Sequence, residues 1–326
     1  MGKDYYIFSN GRIKRKDNTI YFVDPDDKKR ALPIEDTERL HIFGEVDLNT
    51  KFINYISQSG VLLNFYNYYG FYSGTYYPRK KNISGLLNVR QAIHYSVYDE
   101  RMYIAKAFIE SSIHHIKRNL SRHNIPSEVF ESINKEKENA KNSKSIEELM
   151  GSEGRIRRIY YSAFKYIVKE EFHIYKREKR PPTDPINALI SFGNSLMYTA
   201  ALGEMYKTQL DPTISFLHEP STKRFSLVLD ITEIFKPLVV DSLIFSMINK
   251  NMIKIEDFSY LDGICLLNDS GRKKFIREFE KKMDVTINHR SLNRKVSYRT
   301  FIKLECYKLI KHFIGDEKYK PLKAWW

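Results

Sequence analysis

The sequence predicts an α+β protein: a β-rich N-terminal domain over residues 1–86, then an all-α domain over 87–326. Three observations carry this. The first eighty-odd residues hold short aromatic and β-branched runs separated by turn chemistry. From about residue 86 the apolar period changes from two to 3.6. Pro126, Pro181-Pro182 and Pro212 then punctuate the joints between helical segments. Strands first and helices afterwards indicate two separate layers of structure rather than a βαβ alternation.

In chain order, Tyr5-Tyr6-Ile7-Phe8 and Thr19-Ile20-Tyr21-Phe22-Val23 read as strands, with Ser9-Asn10-Gly11 and Lys16-Asp17-Asn18 as turns around them. A further strand is expected at Leu40-His41-Ile42-Phe43. One helix interrupts the pattern: Asn49 caps it, Phe52, Ile53 and Ile56 give it an apolar face, and Gly60 ends it. Val61–Tyr66 reads as a buried strand, and the tyrosine- and glycine-rich run 65–78 as strand and contact surface, or as a platform on which bases stack. Ile109, Ile113, Ile116 and Leu120 mark one face of a long helix over about 89–123. Further helices are expected over about 126–142, 145–169 (Ser145 capping, with Glu148 three residues on), 184–208, 226–250, 270–284 and 296–314.

Composition narrows the function classes. At 42% hydrophobic the chain builds a core, which excludes wholesale disorder. Lys plus Arg is 54 against 40 Asp plus Glu, a formal net charge of +14, so polyanionic partners are favoured. Cys265 and Cys306 are too few for a disulfide scaffold, and no stretch of apolar residues is long enough to span a membrane. A soluble, cytoplasmic protein is expected. P-loop, GxGxxG, GxSxG and HExxH patterns are absent from the sequence, so chemistry must come from scattered ligands.

Three places offer such ligands. Ser152-Glu153-Gly154-Arg155 puts a glycine inside a helix, which suggests close backbone approach or a ligand beside it. Glu153 taken singly reads as a solvated carboxylate paired to Arg157. Phe216-Leu217-His218-Glu219-Pro220 places a histidine in an apolar loop, whereas His114, His115 and His123 read as surface helix positions. Asp230 and Glu233 stand at i and i+3 on an otherwise apolar helix, and buried carboxylates are paired or bound to metal. A Glu/His/carboxylate shell with open positions suits Mn2+ or Mg2+, which keep waters for a phosphate.

Taken together, Glu153-Gly154, Leu217-His218 and Asp230-Ile231-Thr232-Glu233-Ile234-Phe235-Lys236-Pro237 resemble the CRISPR-associated adaptation endonuclease and integrase, the universal first Cas protein. Asp184-Pro185-Ile186-Asn187-Ala188-Leu189 is similar to that family's "DP-x-N-x-L-L" helix, and Leu32–Asp36 and the tyrosine–glycine run also match, the latter resembling versions that accompany type I-B systems. The resemblance covers nearly the whole chain. It implies a homodimer joined largely through the β domain and a catalytic α domain. The implied metal ligands are Glu153, His218 and Glu233, with Asp230 a second acid whose share in the ion stays open. It further implies a small ferredoxin-like CRISPR-associated companion protein, and DNA as substrate: foreign fragments whose 3′-hydroxyl ends are joined to the CRISPR repeat. A nuclease that only degrades branched or single-stranded nucleic acid, and a binding module without catalysis, are the rival readings.

Two basic stretches are placed to track a DNA backbone: Lys176-Arg177-Glu178-Lys179-Arg180, and His289-Arg290 with Arg294-Lys295 and Arg299. A solvated basic face is the alternative for each. Neutralising Arg290, Arg294 and Lys295 together is expected to weaken binding to all DNA sequences alike. The log–log salt dependence should flatten by about 0.9 for each phosphate no longer neutralised; an unchanged slope in a salt titration would make them a solvated face.

Overall fold

The computed structural model describes residues 2–79, 82–174, 176–178, 181–220 and 225–326. Six strands open the chain: β1 (Lys3–Ile7), β2 (Gly11–Lys16), β3 (Thr19–Val23), β4 (Lys29–Leu32), β5 (Thr37–Ile42) and β6 (Val46–Asp47). Helix α1 (Thr50–Ser59) and the pair β7 (Leu62–Tyr66) and β8 (Tyr72–Tyr76) follow. They form two four-stranded sheets, ordered β1-β5-β7-β8 and β4-β3-β2-β6. In the first, β5 runs parallel to both β1 and β7, while β8 closes an antiparallel hairpin. Strand β2 has no sequence signature because Ile13 is its single apolar residue, wholly buried between exposed Arg12 and Lys14. Helix α1 is capped as expected: the Asn49 side chain accepts from the Phe52 N–H at 2.9 Å, and Gly60 at φ 71° supplies the left-handed end. Its Phe52 and Ile56 join Ile13, Leu40 and Leu63 in one core.

The second unit, Ser84–Trp326, is a body separate from Met1–Ile83. Its helices are α2 (Gly85–Ser96), α3 (Tyr98–Leu120), α4 (Ser127–Asn142), α5 (Ile146–Ser162), α6 (Pro185–Tyr206), α7 (Ser226–Phe235), α8 (Ser242–Asn249), α9 (Asp269–Asp284) and α10 (Tyr298–Phe313). Two of the expected helices are interrupted. Val97 is extended and splits 85–120 into α2 and α3. Between α7 and α8, Lys236–Asp241 is π-helical, because Pro237 has no N–H to offer the preceding turn.

The unit is not wholly helical. Hairpins β9–β10 (Phe258–Leu261, Ile264–Leu267) and β11–β12 (Thr286–Asn288, Lys295–Ser297) flank α9. Strands of three or four residues are too short to register an alternating period, which is why an all-α reading omits them. Among the described residues no helix is long and apolar enough to cross a membrane.

Helix α6 is the hub. Asp184 caps it by accepting from the Asn187 N–H at 2.8 Å, Pro185 occupies its first turn, and nearly every side chain to Met205 is buried. His115, expected at a surface, is buried on α3: Nδ1–H donates to the Ile234 carbonyl at 3.0 Å and Nε2 accepts from the Ala324 N–H at 3.0 Å. Burial pushes its pKa down to about 3, so it stays neutral.

Gly193 on α6 is a packing requirement. A Cβ there would stand 2.5 Å from Val240 Cγ1 and 3.0 Å from Phe275 Cζ, both buried in the core. Gly193→Ala is expected to cost about 1–3 kcal/mol despite the better helix propensity of alanine. Calorimetry should show a fall in Tm of about 2–12 °C; an unchanged or higher Tm would refute the packing reading.

Candidate active site

Helices α5 and α7 and the loop before α7 bring three of the expected ligands to one cavity of ≈ 830 Å³: Glu153, His218 and Glu233 all line it, with Gly154 beside them. A Cβ on Gly154 would meet nothing within 4 Å, so this glycine faces the open cavity and not a close backbone. Lys176 and Arg177 line the same cavity, together with Arg157, Arg158 and Lys236. The wall therefore combines two carboxylates with five permanent cations, a setting suited to a bound polyanion.

Asp230 does not face that cavity. It is fully buried on α7, and its carboxylate accepts four hydrogen bonds: from the Phe216 N–H (2.7 Å) and Leu217 N–H (3.0 Å) on Oδ2, and from the His218 N–H (3.0 Å) and His218 Nδ1–H (2.7 Å) on Oδ1. Four bonds saturate the carboxylate, leaving no lone pair for an ion. These bonds tie loop 216–218 to α7 and place the proton of the neutral His218 imidazole on Nδ1, leaving the Nε2 lone pair that a ligating imidazole needs. Burial lowers the His218 pKa, but the hydrogen bond and charge of Asp230 outweigh it and the net shift is upward.

Arg157 ties the two remaining acids together. Its Nε donates to Glu153 Oε1 at 3.0 Å, and its Nη2 donates to Glu233 Oε2 at 2.5 Å and to Ser112 Oγ at 3.1 Å. Lys236 donates to the other oxygen of Glu233. Burial by itself would push the Glu233 carboxyl up, yet Lys236 and Arg157 hold it well below the usual carboxylate range. The i, i+4 pair of Glu153 with Arg157 and the cavity-facing position of Glu153 thus coexist.

The donor set fits a hard divalent cation, with two carboxylates, one oriented imidazole and the buried Asn194 Oδ1, which has no hydrogen-bond partner among the described residues. The ligand atoms of Glu153, His218 and Glu233 are not drawn to within 4.8 Å of one another; among the described residues that closeness is reached elsewhere, by His94, Glu100 and His312. The Arg157 guanidinium bridges the two carboxylates.

The other basic residues separate. Lys176 is exposed at the cavity edge, while Arg177 is half-buried and donates to Asn187 Oδ1 (2.8 Å) and Ser191 Oγ (3.0 Å) of α6. Lys179 and Arg180 lie outside the described residues. Arg290, Arg294 and Lys295 are exposed on the β11–β12 hairpin, away from the cavity lining, with Arg290 over the Trp325 ring at 4.8 Å. Arg299, by contrast, is 5% exposed and paired with Glu280 and Asp284.

Sequence reasoning missed Lys236 and Asp241. The first carries a local signal, i+3 from Glu233; the second, in the π-helical stretch, carries none. Asp241 is 1% exposed and its Oδ2 has no hydrogen-bond partner among the described residues. Burial raises its pKa to about 6 against the opposing pull of Arg157, a Tyr160 hydrogen bond, Lys236 and Arg177.

Acidic side chains on helices, an oriented imidazole and a ring of cations together make a site for phosphodiester chemistry. Comparison with known proteins identifies the lineage: the family profile described as "CRISPR associated protein Cas1" matches residues 5–281, and the chain belongs to that family. "CRISPR-associated endonuclease Cas1" of Clostridium perfringens (strain SM101 / Type A) is 66% identical over the full length of both chains. "CRISPR-associated endonuclease Cas1 3" of Thermodesulfovibrio yellowstonii is 57% identical over 99% of this chain and 100% of its own. Among solved structures, a CAS1 protein from Thermotoga maritima superposes with a TM-score of 0.90 at 38% identity, covering 97% of this chain and 99% of its own. A casposase bound to integration product shares the fold at TM-score 0.87 and 20% identity, covering 98% and 93%.

Asp241 generates a pH prediction. Its folded pKa stands above the unfolded value, so the native state holds a proton that the unfolded chain releases. Stability therefore declines as pH rises from about 4 to about 6, and is flat above. Asp241→Asn keeps an acceptor for Tyr160 and is expected to raise stability at pH 8 by about 2–3 kcal/mol. Urea unfolding at pH 4.5 and pH 8 checks this; an equal effect at both pH values would count against it.

Proposed function

We propose that the chain is a metal-dependent DNA endonuclease and integrase that inserts foreign DNA fragments into a CRISPR array. The observation that carries this is the convergence of Glu153, His218 and Glu233 on one cation-rimmed cavity, with His218 held in its ligating tautomer by Asp230. Glu153, Glu233 and His218 Nε2 would hold a divalent ion, Mn2+ or Mg2+. When bound, that ion supplies activation of the 3′-oxygen and neutralisation of charge on the phosphate and leaving oxygen.

The chain's own residues do the rest. Asp230 keeps the Nδ1 proton of His218 in place throughout. Arg157 and Lys236, which pair with Glu233, line the same cavity and would present their remaining N–H groups to phosphate oxygens there. Lys176 at the cavity edge and Arg158 on α5 receive the DNA backbone, giving affinity without sequence readout. With water in place of a 3′-hydroxyl, the same step is nuclease cleavage.

The working assembly is proposed as a homodimer joined largely through the N-terminal unit, acting in the cytoplasm with a small ferredoxin-like CRISPR-associated companion protein. The solved "Cas6-RT-Cas1--Cas2 complex", whose fold this chain shares, supports a partnered assembly. Leu86, Val89 and Ile93 on α2, exposed at 68%, 56% and 46%, add an apolar stripe suited to a subunit contact.

Strand transfer into a repeat-bearing plasmid tests the reading. Glu153→Ala, His218→Ala and Glu233→Ala should each lower joined product and cleavage at least about 100-fold, with DNA affinity nearly unchanged because the basic surface supplies it. Full integration by a folded Glu233→Ala protein in Mn2+ would remove Glu233 from the ligand set. Asp230→Ala is expected to differ in kind, losing activity and also about 3 kcal/mol or more of stability, because it strands three backbone N–H groups. Thermal melts beside activity separate the two outcomes.

A further inference from the structure

A second constellation lies outside the catalytic cavity. His94 in the last turn of α2, Glu100 in the first turn of α3 and His312 in the last turn of α10 each offer a ligand atom, all within 4.8 Å of one another. His312 is 8% exposed, and its Nε2 is buried with no hydrogen-bond partner among the described residues; Glu100 Oε2 stands 3.5 Å away. A buried imidazole nitrogen left in this state costs free energy unless something occupies it. Two donors on one tetrahedral zinc, each at about 2.0–2.1 Å, stand about 3.4 Å apart, close to the 3.5 Å between His312 Nε2 and Glu100 Oε2.

The other histidine is oriented to match. His94 Nδ1 lies 2.8 Å from the Arg90 carbonyl, which only accepts, so Nδ1 carries the proton and Nε2 carries the lone pair. A backbone carbonyl fixing the non-ligating nitrogen is the support that metal-binding histidines receive. The two rings meet edge to face with centroids 5.1 Å apart.

We propose that His94, Glu100 and His312 form a structural metal site for a zinc-type ion that clips α2, α3 and α10 together. Two imidazoles and one carboxylate select Zn2+ or Co2+ over the harder Mg2+ or Mn2+. The clip sits next to the catalytic loop: Phe313 stacks on Phe216 at 5.4 Å, and Arg101 Nε donates to the Phe216 carbonyl at 3.0 Å. It does not rest on the catalytic assignment, since none of its residues lines that cavity.

The test is Zn2+ titration of the full chain after chelator treatment, followed by calorimetric stoichiometry and Tm, with Co2+ absorption as the geometric probe. Removing a group that merely orients a ligand already costs about 10–100-fold in affinity. His94→Ala, His312→Ala and Glu100→Gln are therefore expected to weaken one zinc site by about 100-fold and abolish its tetrahedral Co2+ band. His218→Ala should leave that band intact, which separates this site from the catalytic one. Should His312→Ala fail to fold, His94→Ala and Glu100→Gln, at less buried positions, carry the comparison. Wild-type stoichiometry and an unchanged zinc-dependent Tm gain in those two variants would overturn the proposal, as would a Co2+ band abolished only in His218→Ala.

Discussion

The buried carboxylate of Asp230 is the constraint on which the helical unit's chemistry rests. Sealed from water, it is compensated by four N–H groups that converge on it, three from the backbone of one loop and one from an imidazole. Those bonds make loop 216–218 an extension of α7 in place of a free connection. His218 is thereby held to a helix that also presents Glu233 one turn further on, and the relative placement of the two follows from α-helical geometry.

Around this anchor the unit concentrates charge in an apolar environment. Helix α7 is buried almost throughout, yet it carries Asp230 and Glu233, and α5 brings the buried Arg157 to meet them. Low dielectric makes each unpaired charge expensive, so the cations are as tightly specified as the acids. Arg157 joins both carboxylates while its own Nη1 has no partner among the described residues, and burial in the same surroundings raises the Asp241 pKa to about 6. Lys236 pairs with Glu233 at the ordinary i, i+3 helical spacing, and Asp241 is buried at the end of the π-helical stretch Lys236–Asp241.

The N-terminal unit solves a simpler problem. Its sheets are stabilised by apolar alternation and by a ladder of rings: Tyr6 on His41 at 4.4 Å, and Tyr66 on Phe43 at 4.1 Å. Arg39 and Asp4, both almost fully buried, pair at 2.8 Å beneath it. The tyrosines that look unusual in the sequence are largely strand residues here, with Tyr68 and Tyr69 exposed on the turn between β7 and β8.

Local signals in the sequence determined the α+β order and the caps at Asn49, Ser145 and Asp184, because caps and periods are properties of neighbours along the chain. The acids and histidine that line the cavity are legible only from their motifs taken together, since Glu153 by itself reads as a solvated carboxylate. Tertiary structure decided what no spacing encodes. It separated Asp230 from Glu233, adjacent on one helix face by periodicity, into a loop anchor and a cavity wall. It moved Arg299 and His115 from expected surfaces into the core, and it brought His94, Glu100 and His312 together across more than two hundred residues of chain. Short strands such as β11 and β12 also lay beyond the sequence, since three residues hold less than two periods of alternation and only a partner strand makes them a hairpin.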